Sequence, residues 1–108
     1  MKGTDKIVVF ITTSSKEEAD KLSELLLNRR KAACVNIVPK VDSRFWWQGK
    51  LDSAEESLLI VKTKASALPA LIDLVKGAHI YSVPEIIALP IIGGSEDYIK
   101  WIDAEVNG

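Results

Sequence analysis

The chain first turns continuously apolar at Ile7-Val8-Val9-Phe10-Ile11, a short β-branched run of the kind that forms a strand covered on both faces. The period then changes. Ser15 followed three residues on by Glu18 is a capping-box signature, and Ala19, Leu22 and Leu26 recur on one helical face, so the pattern predicts a helix from about Lys16 to Arg30. Arg29, Arg30 and Lys31 at its end would complement the negative pole of the helix dipole; an anion patch is the alternative. From Ala33 the period is two, with Val35, Ile37, Pro39 and Val41 on one face of a long strand that continues through Phe45-Trp46-Trp47. Pro39 marks an edge or a bulge. A turn at Gln48-Gly49-Lys50 leads into a returning strand that culminates in Leu58-Leu59-Ile60-Val61, which makes strands two and three a long hairpin.

Beyond Lys64, Ser66 is placed to cap a second helix in which Leu68, Leu71, Ile72 and Val75 share a face, with Pro69 near its start and Gly77 positioned to end it. Ile86 to Ile92 reads as a further buried strand interrupted at Pro90, and Gly93-Gly94 breaks it. Ser95, followed by Glu96 and Asp97, opens a last helix with Ile99, Ile102 and Val106 on one side. The order βαββαβ plus a C-terminal helix predicts an α+β, ferredoxin-like sandwich: an antiparallel sheet with helices on one face, formed as a single domain over residues 1–108. Strands one, three and four nevertheless look apolar on both sides, and one layer of helices covers only one of them. Packing of sheet against sheet between copies of the chain resolves the conflict.

Composition narrows the partners. The 108 residues carry 14 basic and 15 acidic side chains for a net charge of -1, so there is no cationic excess with which to neutralise a run of phosphates, and nucleic acid is not expected as a partner. Cys34 is the sole cysteine and cannot close an intrachain disulfide, which fits a reducing, cytoplasmic setting. The run Ile7–Ile11 is too short for a signal-peptide core, and no apolar stretch approaches the roughly 20 residues of a bilayer span. No membrane association is expected.

Several blocks spread along the chain resemble the CutA divalent-cation tolerance family. They are Lys31-Ala32-Ala33-Cys34-Val35-Asn36-Ile37, Trp47-Gln48-Gly49-Lys50, Lys62-Thr63 and His79-Ile80-Tyr81-Ser82-Val83-Pro84-Glu85-Ile86-Ile87, followed by Gly94, Tyr98 and Trp101. The resemblance implies a homotrimer of ferredoxin-like subunits with sheets packed about a threefold axis, tolerance of divalent metal ions, and copper binding. It also sets out two departures: Ile80 stands where the family usually has proline, and Ile11 stands near the place where some members carry a second cysteine.

Cu(II) prefers imidazole nitrogen and accepts carboxylate oxygen, which makes His79 and Glu85 the natural pair of ligands, with Cys34 as a third candidate. In an extended segment residues 79 and 85 stand roughly 20 Å apart, so a turn or a neighbouring subunit has to bring them together. The competing reading is structural: His79 finishes the second helix, Glu85 pairs with a lysine such as Lys62, and Cys34 packs as a small hydrophobe. Phe45-Trp46-Trp47 suits an oligomer contact better than a base-stacking platform. Lys62, Tyr81 and Trp47 are candidates, on the family resemblance, for an intersubunit cleft that holds a small anion, as in the PII signalling proteins. An enzyme is not expected. Thr12-Thr13-Ser14-Ser15-Lys16 lacks the arginine of an acylphosphatase-type phosphate cradle, and no nucleophile and base stand in an evident pairing. No organic cofactor is expected either.

Overall fold

The computed structural model describes residues 3–108. Four strands, β1 (Lys6–Thr13), β2 (Cys34–Trp47), β3 (Lys50–Lys64) and β4 (Ile86–Pro90), form one antiparallel sheet in the order β2-β3-β1-β4. Helices α1 (Lys16–Asn28) and α2 (Leu68–Ala78) are the two crossovers, and α3 (Glu96–Glu105) follows β4. This is the expected ferredoxin-like arrangement with its extra helix.

The period-two pattern decides which residues meet. Ile7, Val9 and Ile11 of β1 and Leu59 and Val61 of β3 point under the helices and pack with Ala19, Leu22 and Leu26 of α1 and Leu71 and Val75 of α2. A smaller cluster of Ala67, Ile102 and Val106 seats α3. Directly opposed residues of an antiparallel pair share a face. Val8 faces Lys62 and Leu89, Phe10 faces Ile60 and Ile87, and Thr12 faces Leu58, while Cys34, Asn36 and Val38 of β2 oppose Lys62, Ile60 and Leu58. These residues, even-numbered in β1, β2 and β3 and odd-numbered in β4, form the second face of the sheet, away from α1 and α2. Its middle is apolar, and Val38, Ile87 and Leu89 are openly exposed in the single chain.

The long hairpin is built as its turn chemistry requires. Trp47 pairs with Lys50 across a two-residue turn in which Gln48 (φ 50°) and Gly49 (φ 79°) are both left-handed, the geometry that matches strand twist in tight hairpins. Pairing of β2 with β3 shifts between Val38 and Val41, so that Pro39 and Lys40 form the expected bulge, with Lys40 at φ 59°. β1 stops opposite Ser57, and the hairpin runs on to its tip without a third strand, leaving Trp46 and Leu51 paired and exposed there.

Helix ends depart from the local reading in three places. Ser66 caps nothing: Ala65–Ala67 form a 3₁₀ turn, and α2 begins from Ala67 without a side-chain cap. Gly77 lies inside the last turn of α2, which ends instead at Ala78 because His79 takes an extended conformation (φ -81°, ψ 142°). α1 ends at Asn28, with Arg30 left-handed and Lys31 N–H donating to the Leu26 carbonyl, so Arg29–Lys31 lie past the last turn. Two of these cations tie down the chain end: the Arg30 guanidinium is 2.6 Å from the Glu105 carboxylate, and Lys31 Nζ donates to the Asn107 carbonyl at 2.9 Å.

Candidate functional site

The candidate residues fall at two ends of the sheet. At the end nearer the start of β1, Cys34 opens β2 on the face away from α1 and α2, with its Sγ 3.8 Å from Asn36 Oδ1. Lys62, directly opposite Cys34, donates its ammonium to the same amide oxygen. Tyr98 of α3 stands beside Cys34, and its phenol is pushed up by burial and by that thiol. Cys34 is therefore not a core residue; it is part-exposed among polar neighbours.

At the other end, the segment between α2 and β4 folds over the end of β1. The His79 imidazole is fully buried there, with a side chain 0% exposed. Its Nε2 lies 2.7 Å from the Thr12 carbonyl oxygen, which can only accept, so Nε2 carries the proton; Nδ1 accepts from the Tyr81 N–H at 3.0 Å. Both ring nitrogens are thereby used. Within one chain a metal reaches an imidazole nitrogen of His79 only by displacing one of these hydrogen bonds. The role of His79 is to lock the 79–81 segment against β1.

Glu18 supports that lock. Its N–H is capped by Ser15 Oγ at 3.1 Å as the sequence pattern suggests, but its carboxylate does not close the capping box. Oε1 accepts from Ser14 N–H and the Ser14 hydroxyl at 2.8 and 3.0 Å, and Oε2 accepts from Ile80 N–H at 2.8 Å, 3.4 Å from His79 Nδ1. Burial opposes ionisation of Glu18, but the hydrogen bonds from Ile80 and Ser14 outweigh it and lower its pKa.

Glu85 does not meet His79. Its electrostatic neighbour is Glu56, and burial followed by that like charge raises the Glu85 pKa. Glu56, only 7% exposed, accepts the Tyr81 hydroxyl at 2.8 Å. Burial, then the hydrogen bond and charge of Glu56, push the Tyr81 phenol up to about 12. Glu56, Tyr81 and Glu85 thus form an acidic corner. Glu56 escapes the sequence reading, because nothing local marks a glutamate two residues before the apolar run of β3.

Tyr81 and Trp47 do come together, in a groove of about 340 Å³ that Phe45, Asp52, Ala54 and Val83 also line. Lys62 of the same chain is not in it: Lys62 opposes Val8, whereas the groove lies beyond the end of β1, roughly 25 Å away along β3. Within one chain, no group of three or more His, Cys, Asp or Glu gathers in a metal-holding geometry among the described residues. Nor is any helix among them long and apolar enough to cross a membrane.

Residues 7–105 match the family model described as CutA1 divalent ion tolerance protein. The chain belongs to that family. The structure superposes on the crystal structure of CutA1 from Oryza sativa with a TM-score of 0.93 at 44% identity, covering 97% of this chain and 96% of that one. In sequence, the divalent-cation tolerance protein CutA of Thermus thermophilus is 47% identical over 95 residues, 88% of this chain and 92% of that protein. A rice relative, protein CutA 1, chloroplastic, is 48% identical over 96 residues, 89% of this chain and 54% of the rice protein. The chain spans about half the length of the plant CutA proteins it matches. The CutA1 match embraces β1 through α3, and so includes both ends of the sheet on which the candidate residues lie.

Proposed function

We propose that the chain acts as a homotrimer in the cellular handling of divalent cations, with Cu(II) as the principal ion, and that it does so in the cytoplasm as a binding protein without catalytic activity. The observation that carries this reading is the second face of the sheet. Val8, Phe10, Leu58, Ile60, Ile87 and Leu89 form an apolar surface that α1 and α2 leave uncovered, α3 reaching only its Lys6–Lys64 end, and the candidate donors sit at its two ends. Burying such a face against other copies is favourable by about 25 cal/mol per Å² of apolar surface removed from water. The number three is what the family resemblance implies.

Joint burial also supplies what one chain lacks. Cys34 lies at one end of the face and Glu85 at the other, roughly four strand residues apart in register, so they meet only if the ends of neighbouring copies are brought together. A thiolate is a donor that copper takes, with the carboxylate as a weaker oxygen ligand beside it. The family name supports the cation; the lone thiol supports a reducing compartment. The small-anion reading finds less support, since Asp52 lines the Trp47–Tyr81 groove.

The test is calorimetric titration of Cu(II), under argon, into the native protein and its Cys34→Ser and Glu85→Gln variants. Saturable uptake by the native protein, weakened at least about tenfold in each variant, is expected, since loss of even a supporting group around a metal costs that much. No saturable uptake, or equal affinity in all three proteins, contradicts the reading.

A further inference from the structure

The uncovered sheet face is electrically polarised along its strands. At one end stands Lys62, whose ammonium is bonded to the neutral amide of Asn36 and forms no salt bridge among the described residues. At the other end stand Glu56 and Glu85, close enough to repel, and neither has a cationic partner among the described residues. Between them lie Leu58, Ile60, Phe10 and Ile87.

In an isolated chain this arrangement is harmless, because water solvates Lys62 and Glu85. It ceases to be harmless once the apolar middle is buried. An ion taken out of water carries a penalty of several kcal/mol unless an opposite charge with good hydrogen-bond geometry receives it. The chain cannot supply that partner to itself: Lys62 and Glu56 are on one strand, six residues and roughly 20 Å apart. Neighbouring copies in a closed ring can, if the Lys62 end of each meets the Glu56–Glu85 end of the next. That placement buries the apolar residues against each other and leaves neither charge orphaned.

We propose that Lys62 of one subunit enters the corner formed by Glu56, Tyr81 and Glu85 of the next, completing it as an intersubunit ion pair. This rests on the joint burial of the sheet face proposed above and names the residues that set its register. The Tyr81 hydroxyl, already donated to Glu56, orients that carboxylate, and the ammonium has three hydrogens to share among Glu56, Glu85 and Asn36. The raised Glu85 pKa in the isolated chain is consistent with a corner that lacks its cation. A divalent cation bound at Glu85 would have to displace this ammonium, so Lys62 would set the threshold for uptake there.

The test is a double-mutant cycle on self-association, read by light scattering over a dilution series in the presence of a chelator. It uses native protein, Lys62→Met, Glu85→Gln and the double variant, with circular dichroism to verify folding of each. Both single substitutions are neutral in charge and close in size, so the fold is retained. Each is expected to weaken association at least about 30-fold, the loss typical of truncating one member of a buried charge pair. The double variant is expected to lose much less than the product of the two. Two further proteins, Lys62→Glu and Glu85→Lys, should associate poorly alone, and the charge-swapped combination in one chain should recover. Unchanged association in Lys62→Met, or multiplicative losses in the double variant, would overturn the ion pair while leaving the assembly intact. A native protein that stays a single chain overturns the assembly and the ion pair together.

Discussion

Replacing Ile87 by aspartate is expected to turn the assembled protein into folded single chains. Ile87 is 52% exposed in one subunit, on the edge strand β4 opposite Phe10, so a carboxylate there meets water and leaves the core of that subunit untouched. In an assembly that buries the face, the same carboxylate enters an apolar surface with no cation beside it. The residual cost after relaxation is several kcal/mol per ion, so association should weaken by about a thousandfold or more. The expected readout is a fall of the light-scattering mass to that of one chain with the circular dichroism spectrum retained. An unchanged oligomer in Ile87→Asp would show that this side of the sheet is not the interface.

His79→Ala is expected to be the most damaging single substitution to the fold of one subunit. It empties a fully buried site and removes the partners of the Thr12 carbonyl and the Tyr81 N–H. Cavity formation in a core and the orphaning of buried polar groups together cost about 3–5 kcal/mol. For a domain near 100 residues that corresponds to a fall in Tm of at least about 12 °C. The expected companion result is that folded His79→Ala protein keeps its Cu(II) affinity, because the imidazole offers no free nitrogen. A loss below about 1 kcal/mol, or a loss of copper binding without a loss of stability, would contradict the role assigned to His79.

Local chemistry made much of this architecture readable in advance. The two-residue turn at Gln48-Gly49 requires left-handed backbone, and Gly49 beside alternating aromatics signals it. Pro39 cannot donate to a ladder, and the bulge is where it belongs. The uncovered face was legible from β-strands whose even and odd positions are both apolar, which one layer of helices cannot serve. What escaped was long-range. Glu18 looks like a cap because its near neighbours are Ser15 and Ser14, yet its other oxygen binds Ile80, 62 residues away. His79 is a candidate ligand by residue type alone; only the fold shows both its nitrogens hydrogen-bonded within the chain. Lys62 and Trp47 lie far apart within one chain, at different levels of a long hairpin, so a shared cleft needs neighbouring copies. The basic triplet after α1 suits a helix dipole, but Arg30 and Lys31 are drawn instead to Glu105 and Asn107 at the far end of the chain.

That the ferredoxin-like subunit is only a third of the working object is tested most directly by the molar mass of the untagged native protein in solution, measured by light scattering across dilution. A plateau at three times the 11.9 kDa chain mass is the predicted result. A well-folded species of one chain mass, persisting at high concentration, would contradict it.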